Sequence, residues 1–384
     1  MAHHVFLSPG IFGFARFAAY DYFAHVERAL TERFAAAGQG LELHVVDVLP
    51  TASVRRRAAA LAIGIAKVAA DGPIHLLGHS TGGLDARLVA SPMAVLPVLP
   101  AALAWLPRLR SVTTMNTPHF GTPLASFFVT SNGQRVLYAL SVFTILGLSL
   151  GARPLAAASL LIRVLRSGEQ ASGLESRLLD RSIESLLGVV DSARTPELKA
   201  FLKGITEDQG AMLQLSPEAM DMAVAGFGDR PGVAYQSTAS MAPATTARHW
   251  LRTIGHPWQA ISQTLFTALH GITARHDRRY PCARLGASGG VEAGQATEAA
   301  LARTFGAPPD LGANDGIVPL RSQLWGKLAW SGLADHLDVL GHFRGESAPT
   351  ETRNVDWLTS GSGFGKAQFA ALLDAIVAGM LAAT

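Results

Sequence analysis

The apolar positions of this chain fall into two alternating periods. His4–Ser8, Leu41–Val48, the short apolar run Ile74–Leu77 and Leu109–Met115 read as strands. Between them the spacing turns helical. From Phe17 to about Ala37, Tyr22, Val26, Leu30 and Phe34 recur every four residues, and Gly38 and Gly40 stop the pattern. An alanine-rich helix capped by Thr51 or Ser53 runs to about Ala70. After the third strand, Leu84, Leu88 and Val89 share a helical face. This alternation predicts an α/β fold, a mostly parallel, doubly wound sheet with helices on both faces.

After Met115 the alternation lapses until about residue 232. Val136 to Ala152 is almost wholly apolar between Arg135 and Arg153. Pro154 breaks it, and Leu155 to Leu165 is a second apolar run. A membrane-spanning helix needs about 20 apolar residues, with roughly 17 the lower limit. The first run only just reaches that limit and contains Ser141, Thr144, Gly147 and Ser149. A pair of apolar helices folded over the sheet as a cap is therefore the preferred reading, and a membrane span the lesser one. Helical patterns continue from Glu175 to Ile205, broken at Pro196, and Ser216-Pro217-Glu218 opens a further short helix. Gly232 to Ser237 returns as a strand. Residues 241 to about 310 read as irregular, apart from a helical stretch near Trp258 to Leu269. A last strand region near Leu324 to Trp330 precedes a closing amphipathic helix whose face carries Phe369, Leu372, Leu373, Ile376 and Met380. The organisation expected is a single domain over 1–384, with an inserted helical cap or lid at 124–230 and a second excursion at 241–310.

Composition narrows the function classes. With 384 residues, 49% of them hydrophobic, the chain can bury a large core. The net charge of +3 is a scattered arginine excess. Arg55-Arg56-Arg57 and the group Arg275 to Arg279 read as solvated surface, and no basic stripe interleaves with aromatics, so a nucleic-acid partner is not expected. Cys282 is the only cysteine, which rules out an intrachain disulfide. The N-terminus, Met-Ala-His-His, carries no signal-peptide pattern, compatible with a cytoplasmic protein or a processed secreted one. Oligomeric state is not legible.

The chemistry centres on Gly78-His79-Ser80-Thr81-Gly82, a G-x-S-x-G pattern between a buried strand and a helix. A serine held on so tight a turn needs very small neighbours two residues away on each side, and Gly78 and Gly82 supply them. A serine hydroxyl also needs a base, and the base needs a carboxylate. On a doubly wound sheet the order is nucleophile, acid, histidine. Ser80, Asp315 in an Asn-Asp-Gly turn, and His336 follow that order, with His342, His119 and His79 as rival bases.

Four blocks in sequence sharpen this: Gly78 to Arg87, Asn116 to Pro123, Asn314 to Pro319, and His336-Leu337-Asp338. Together they resemble bacterial triacylglycerol lipases of the Pseudomonas and Burkholderia type, members of the α/β-hydrolase superfamily. The resemblance covers the sheet and hardly touches the middle of the chain. It implies Ser80 as nucleophile, Asp315 as acid and His336 as base, and makes His119 part of a structural loop. It implies an oxyanion hole from the backbone N–H groups of Thr81 and Ile11, although Pro9-Gly10 stands where the family usually has His-Gly. The chemistry requires no cofactor. A structural calcium is implied through Asp338, for which Glu292 to Glu298 offer no convincing second ligand.

The expectation is thus a serine carboxylic-ester hydrolase, a lipase acting on long acyl chains, with the apolar cap meeting ester or lipid substrate at an interface. A non-lipid esterase or acyltransferase on the same machinery, and a non-catalytic lipid binder, are the alternatives.

Overall fold

The structure is a computed structural model. It describes residues 2–11, 16–17, 20–49, 51–68, 71–137, 139–140, 159, 161–162, 208–251, 253–275, 279, 290–343 and 358–383. Six strands form one sheet: β1 (His3–Ser8), β4 (Leu41–Val45), β5 (Ile74–His79), β6 (Leu109–Met115), β7 (Ala234–Met241) and β8 (Lys327–Leu333). Their order is β4-β1-β5-β6-β7-β8, and every pairing is parallel. A separate antiparallel pair, β2 (Arg16–Phe17) and β3 (Tyr20–Asp21), lies between β1 and the first helix.

Alternation along β1 shows why helices must cover both faces. Val5 and Leu7 join one apolar cluster and Phe6 the other, and all three are fully buried. On the face of Val5 and Leu7 lie α1 (Ala24–Ala36) and the C-terminal helix α10 (Lys366–Leu381). They are tied by Arg33 Nε to Asp374 at 2.7 Å. On the face of Phe6 lie α2 (Val54–Val68) and α3 (Thr81–Ala90), which bury Leu61, Ile65, Ala86 and Val89. In α10, Leu372, Leu373, Ile376 and Met380 are buried as the amphipathic pattern predicts.

Between β6 and β7 lie α4 (Pro123–Phe128), α5 (Gly210–Gln214) and α6 (Pro217–Val224). Ser216 caps α6, accepting from the Ala219 N–H at 3.3 Å, with Pro217 in the first turn. Gln214 accepts the Val54 N–H at 2.8 Å and so closes the start of α2, where Ser53 Oγ takes the Arg56 N–H. Within the apolar run, Val136, Leu137, Ala139, Leu140, Leu161 and Ile162 are buried in the same cluster as Leu124 and Phe128. Ser159 is exposed; the rest of Val136 to Leu165, and Glu175 to Ile205, lie outside the described residues.

Three expectations change. The first helix begins at Ala24, not near Phe17, because the chain first makes the β2–β3 pair. The stretch 241–310 is not largely irregular. It holds α7 (Ala247–Leu251), α8 (Pro257–Thr273) and α9 (Gly290–Phe305). Arg57 is not solvated. Its guanidinium is buried against Asp85.

Candidate active site

The C-terminal ends of the parallel strands converge on one edge of the sheet. There β5 ends in His79 and turns at Ser80 into α3. Ser80 has φ 55° and ψ −128°, and Asn116 is the other described non-glycine residue with positive φ. Such a backbone is costly for a serine and persists only where its surroundings over-determine it. The surroundings are visible. A Cβ on Gly78 would come within 2.2 Å of the Gly82 backbone, and one on Gly82 within 2.0 Å of the Ser8 carbonyl. The Ser80 N–H donates to the Met115 carbonyl at 2.8 Å, which fixes the turn to β6.

Asp315 and His336 meet across this edge. Nδ1 of His336 donates to Asp315 Oδ2 at 2.7 Å. The same carboxylate takes the Ile317 and Val318 N–H groups on Oδ1, and Asn116 Nδ2 at 2.9 Å on Oδ2. Four donors therefore lock a fully buried carboxylate, and its hold on Nδ1 leaves Nε2 of His336 as the nitrogen for chemistry. No hydrogen bond joins the Ser80 hydroxyl to His336 among the described residues, as is common before substrate tightens such a site. The ring of His79, the residue before Ser80, lies 4.6 Å from that of His336.

The rival histidines have other surroundings. His342 packs edge-on against His25 at 5.6 Å. His119 is buried between Thr114 Oγ1 and Arg87 Nη1, and burial followed by the Arg87 charge holds its pKa well below the ordinary value. His79 is buried too, with its pKa pushed well down by burial and then by His336.

His79 belongs to a chain of bonds with a readable direction. Its Nε2–H donates to the His336 carbonyl at 2.9 Å, so Nδ1 must accept. The Tyr22 O–H donates there at 2.7 Å, and the Gly10 N–H donates to the Tyr22 oxygen at 3.3 Å. Burial raises the Tyr22 pKa, which keeps the phenol as the donor. The loop after β1 is thus tied to the backbone of His336. Its other side is held by Arg57, which donates to the Pro9 carbonyl and, from Nη2, to Asp85 Oδ2 at 2.8 Å, while Ser8 Oγ also donates to Asp85.

This loop lies against the serine. A Cβ on Gly10 would stand 2.8 Å from Ser80 Cβ and 3.2 Å from Ser80 Oγ. Ile11 follows directly, half-buried against the core. Thr81 opens α3, where the first backbone N–H groups have no acceptor within the helix. Both expected oxyanion donors therefore belong to segments that flank the Ser80 side chain.

No protein-family model matches the chain, and no curated protein matches it in sequence. Solved structures do. Lipase 1 from Pelosinus fermentans is 16% identical, with 94% of this chain and 97% of that one covered and a TM-score of 0.50. The lipase of Staphylococcus hyicus is 16% identical over 98% of this chain and 94% of that one, TM-score 0.48. EstA from Clostridium botulinum is 18% identical over 97% and 88%, TM-score 0.47. The chain has the α/β-hydrolase fold. In this hydrolase fold Ser80 directly follows β5 and His336 comes shortly after β8, while Asp315 lies in the turn before β8, beyond the helices that follow β7.

The calcium expected at Asp338 can be tested against its donors. Asp335 takes the Leu337 and Asp338 N–H groups on Oδ1 and the Ser360 hydroxyl on Oδ2. Asp338 Oδ2 takes the Asp335 N–H and the Ser362 hydroxyl. Protein donors thus meet both carboxylate oxygens of Asp335 and Oδ2 of Asp338, where calcium takes six to eight oxygen ligands. Burial raises the Asp335 carboxyl to about 6, with the hydrogen bonds from Ser360 and the backbone opposing.

What sequence reasoning missed is the support for these groups. Asn116, Tyr22, Arg57 and Asp85 hold the site without belonging to the predicted set. A signal existed for Arg57, which shares a helical face with Leu61 and Ile65. None existed for the Tyr22–His79 bond.

Proposed function

We propose that this protein is a serine carboxylic-ester hydrolase, and that its preferred substrates are esters of long acyl chains. The observation that carries the reading is the Asp315–His336 hydrogen bond beside a positive-φ serine at the C-terminal edge of the sheet. Ser80 Oγ attacks the ester carbonyl while Nε2 of His336 takes its proton. The N–H groups of Thr81 and Ile11 receive the oxyanion, where one such donor is typically worth about 3 kcal/mol. Protonated His336 gives its proton to the leaving alcohol. Water, activated by the same nitrogen, then releases the acyl group from Ser80, and Asp315 holds the ring throughout. Each step moves one proton, and no cofactor enters.

The long-chain preference rests on the apolar stretch from Val136 to Leu165, whose described apolar residues are buried in one cluster with Leu124 and Phe128 of α4. We read 124–230 as a cap whose apolar side meets lipid, in keeping with the motif likeness to Pseudomonas and Burkholderia lipases. Among the described residues no helix is long and apolar enough to cross a membrane. Two of the structural neighbours are named as lipases, which agrees with ester chemistry.

The test is hydrolysis of p-nitrophenyl esters from short to long acyl chains by the wild type and Ser80→Ala. The expected outcome is activity that rises with chain length and vanishes in Ser80→Ala. Activity confined to short chains would remove the long-chain reading, and activity that survives Ser80→Ala would remove the mechanism.

A further inference from the structure

The opposite edge of the sheet carries a second group of ligating side chains that the ester chemistry does not use. Parallel register places His4 of β1 beside Glu42 of β4, and His44 lies two residues further along β4, on the same face. His4 Nδ1 lies 3.4 Å from His44 Nε2 and 3.5 Å from Glu42 Oε2, and His44 Nε2 lies 3.8 Å from the same oxygen. These separations are long for hydrogen bonds. They match another geometry. Ligand atoms bound at 2.0–2.1 Å around a tetrahedral zinc ion stand about 3.4 Å apart.

The histidines are also oriented for such a role. Nε2 of His4 donates to the Asp71 carbonyl at 2.9 Å, which turns the Nδ1 lone pair toward Glu42 and His44. The His44 ring is stacked on Phe6 at 4.7 Å and on His4 at 5.7 Å, which limits its rotation. His4 is 2% exposed and Glu42 56%, so the group is closed on its inner side and open to water on its outer side. Two imidazoles and a carboxylate suit zinc, whereas calcium and magnesium prefer oxygen ligands alone.

We propose that His4, Glu42 and His44 bind one zinc-class divalent cation, with water in the fourth position. The ion staples the edge strand β4 to β1 at the N-terminal end of the sheet, remote from Ser80. It acts on stability, and the proposal stands whether or not the protein hydrolyses esters.

The test uses the full chain, stripped with a chelator and titrated with zinc against a chromophoric competitor. Wild type is expected to take one equivalent. His44→Ala and Glu42→Gln, both on the partly exposed edge strand, should bind at least tenfold more weakly. Zinc should raise the melting midpoint of wild type by roughly 2–4 °C and leave both variants unmoved. Wild type that binds no more tightly than folded His44→Ala would overturn the proposal. So would one equivalent retained in both variants, which would place the ion elsewhere.

Discussion

Histidines gather at both ends of this sheet, and the two groups differ in what their nitrogens face. At the C-terminal edge the rings of His336 and His79 are each committed to a partner of fixed polarity. His336 gives Nδ1–H to Asp315, and His79 gives Nε2–H to a carbonyl and accepts from Tyr22. At the N-terminal edge His4 is oriented by the Asp71 carbonyl, yet its Nδ1 faces a second imidazole and a carboxylate at distances too long for good hydrogen bonds. The first arrangement prepares one nitrogen, Nε2 of His336, to carry a proton. The second prepares lone pairs to share a cation. A histidine's task is therefore set by what holds its other nitrogen.

The contrast breaks most sharply at Asp315. Asp315→Asn keeps the shape but no longer fixes the His336 tautomer, and kcat should fall about 10⁴-fold in ester hydrolysis. If kcat stays within tenfold of wild type, the carboxylate does not orient the base. A smaller effect is expected at Tyr22. Tyr22→Phe leaves the Gly10 N–H and His79 Nδ1 without their partner. We expect kcat to drop roughly tenfold with KM little changed, since the loss acts on the oxyanion loop during reaction. An equal change in KM alone would point to substrate binding instead.

Acid titration sharpens the comparison further. His75, between His3 and Ser111, has its pKa lowered from 6.5 to about 3, chiefly by burial. Its unfolded form binds a proton first, so the stability it contributes is full above pH 6.5 and lost as pH falls toward 3. His79 and His119 act with the same sign. Asp335 acts oppositely, because its carboxyl is raised from 3.8 to about 6 and its contribution is lost as pH rises through that window. Denaturant unfolding between pH 3.5 and 7 should therefore show stability rising with pH, and His75→Gln should flatten the slope. An unchanged slope would mean that His75 is not held neutral. The smallest effect belongs to the N-terminal edge, where His44→Ala should alter ester hydrolysis less than twofold.

Much of this architecture is legible in the chain itself. Strands β1 and β5 stand out because both of their faces are buried, so Val5-Phe6-Leu7 and Leu76-Leu77 run apolar just ahead of turn residues. The helix α9 was hidden because its start lies in a stretch rich in glycine and alanine, where periodicity is weak. Arg57 was hidden because three consecutive arginines resemble a solvated face, yet a buried carboxylate at Asp85 makes one of them a core residue. The four motif blocks point to Ser80, Asp315 and His336. The bonds that steady them are long-range: Tyr22 to His79 spans 57 positions and Asn116 to Asp315 spans 199. No local pattern encodes such contacts.

On the proposed mechanism, His336 activates Ser80 as a nucleophile. The direct measurement is labelling of the full chain with a fluorophosphonate, with the adduct located by peptide mass spectrometry. One adduct is expected, on Ser80, formed at least 100-fold more slowly in His336→Ala. A folded wild type that stays unlabelled, or an adduct on any other residue, would contradict it.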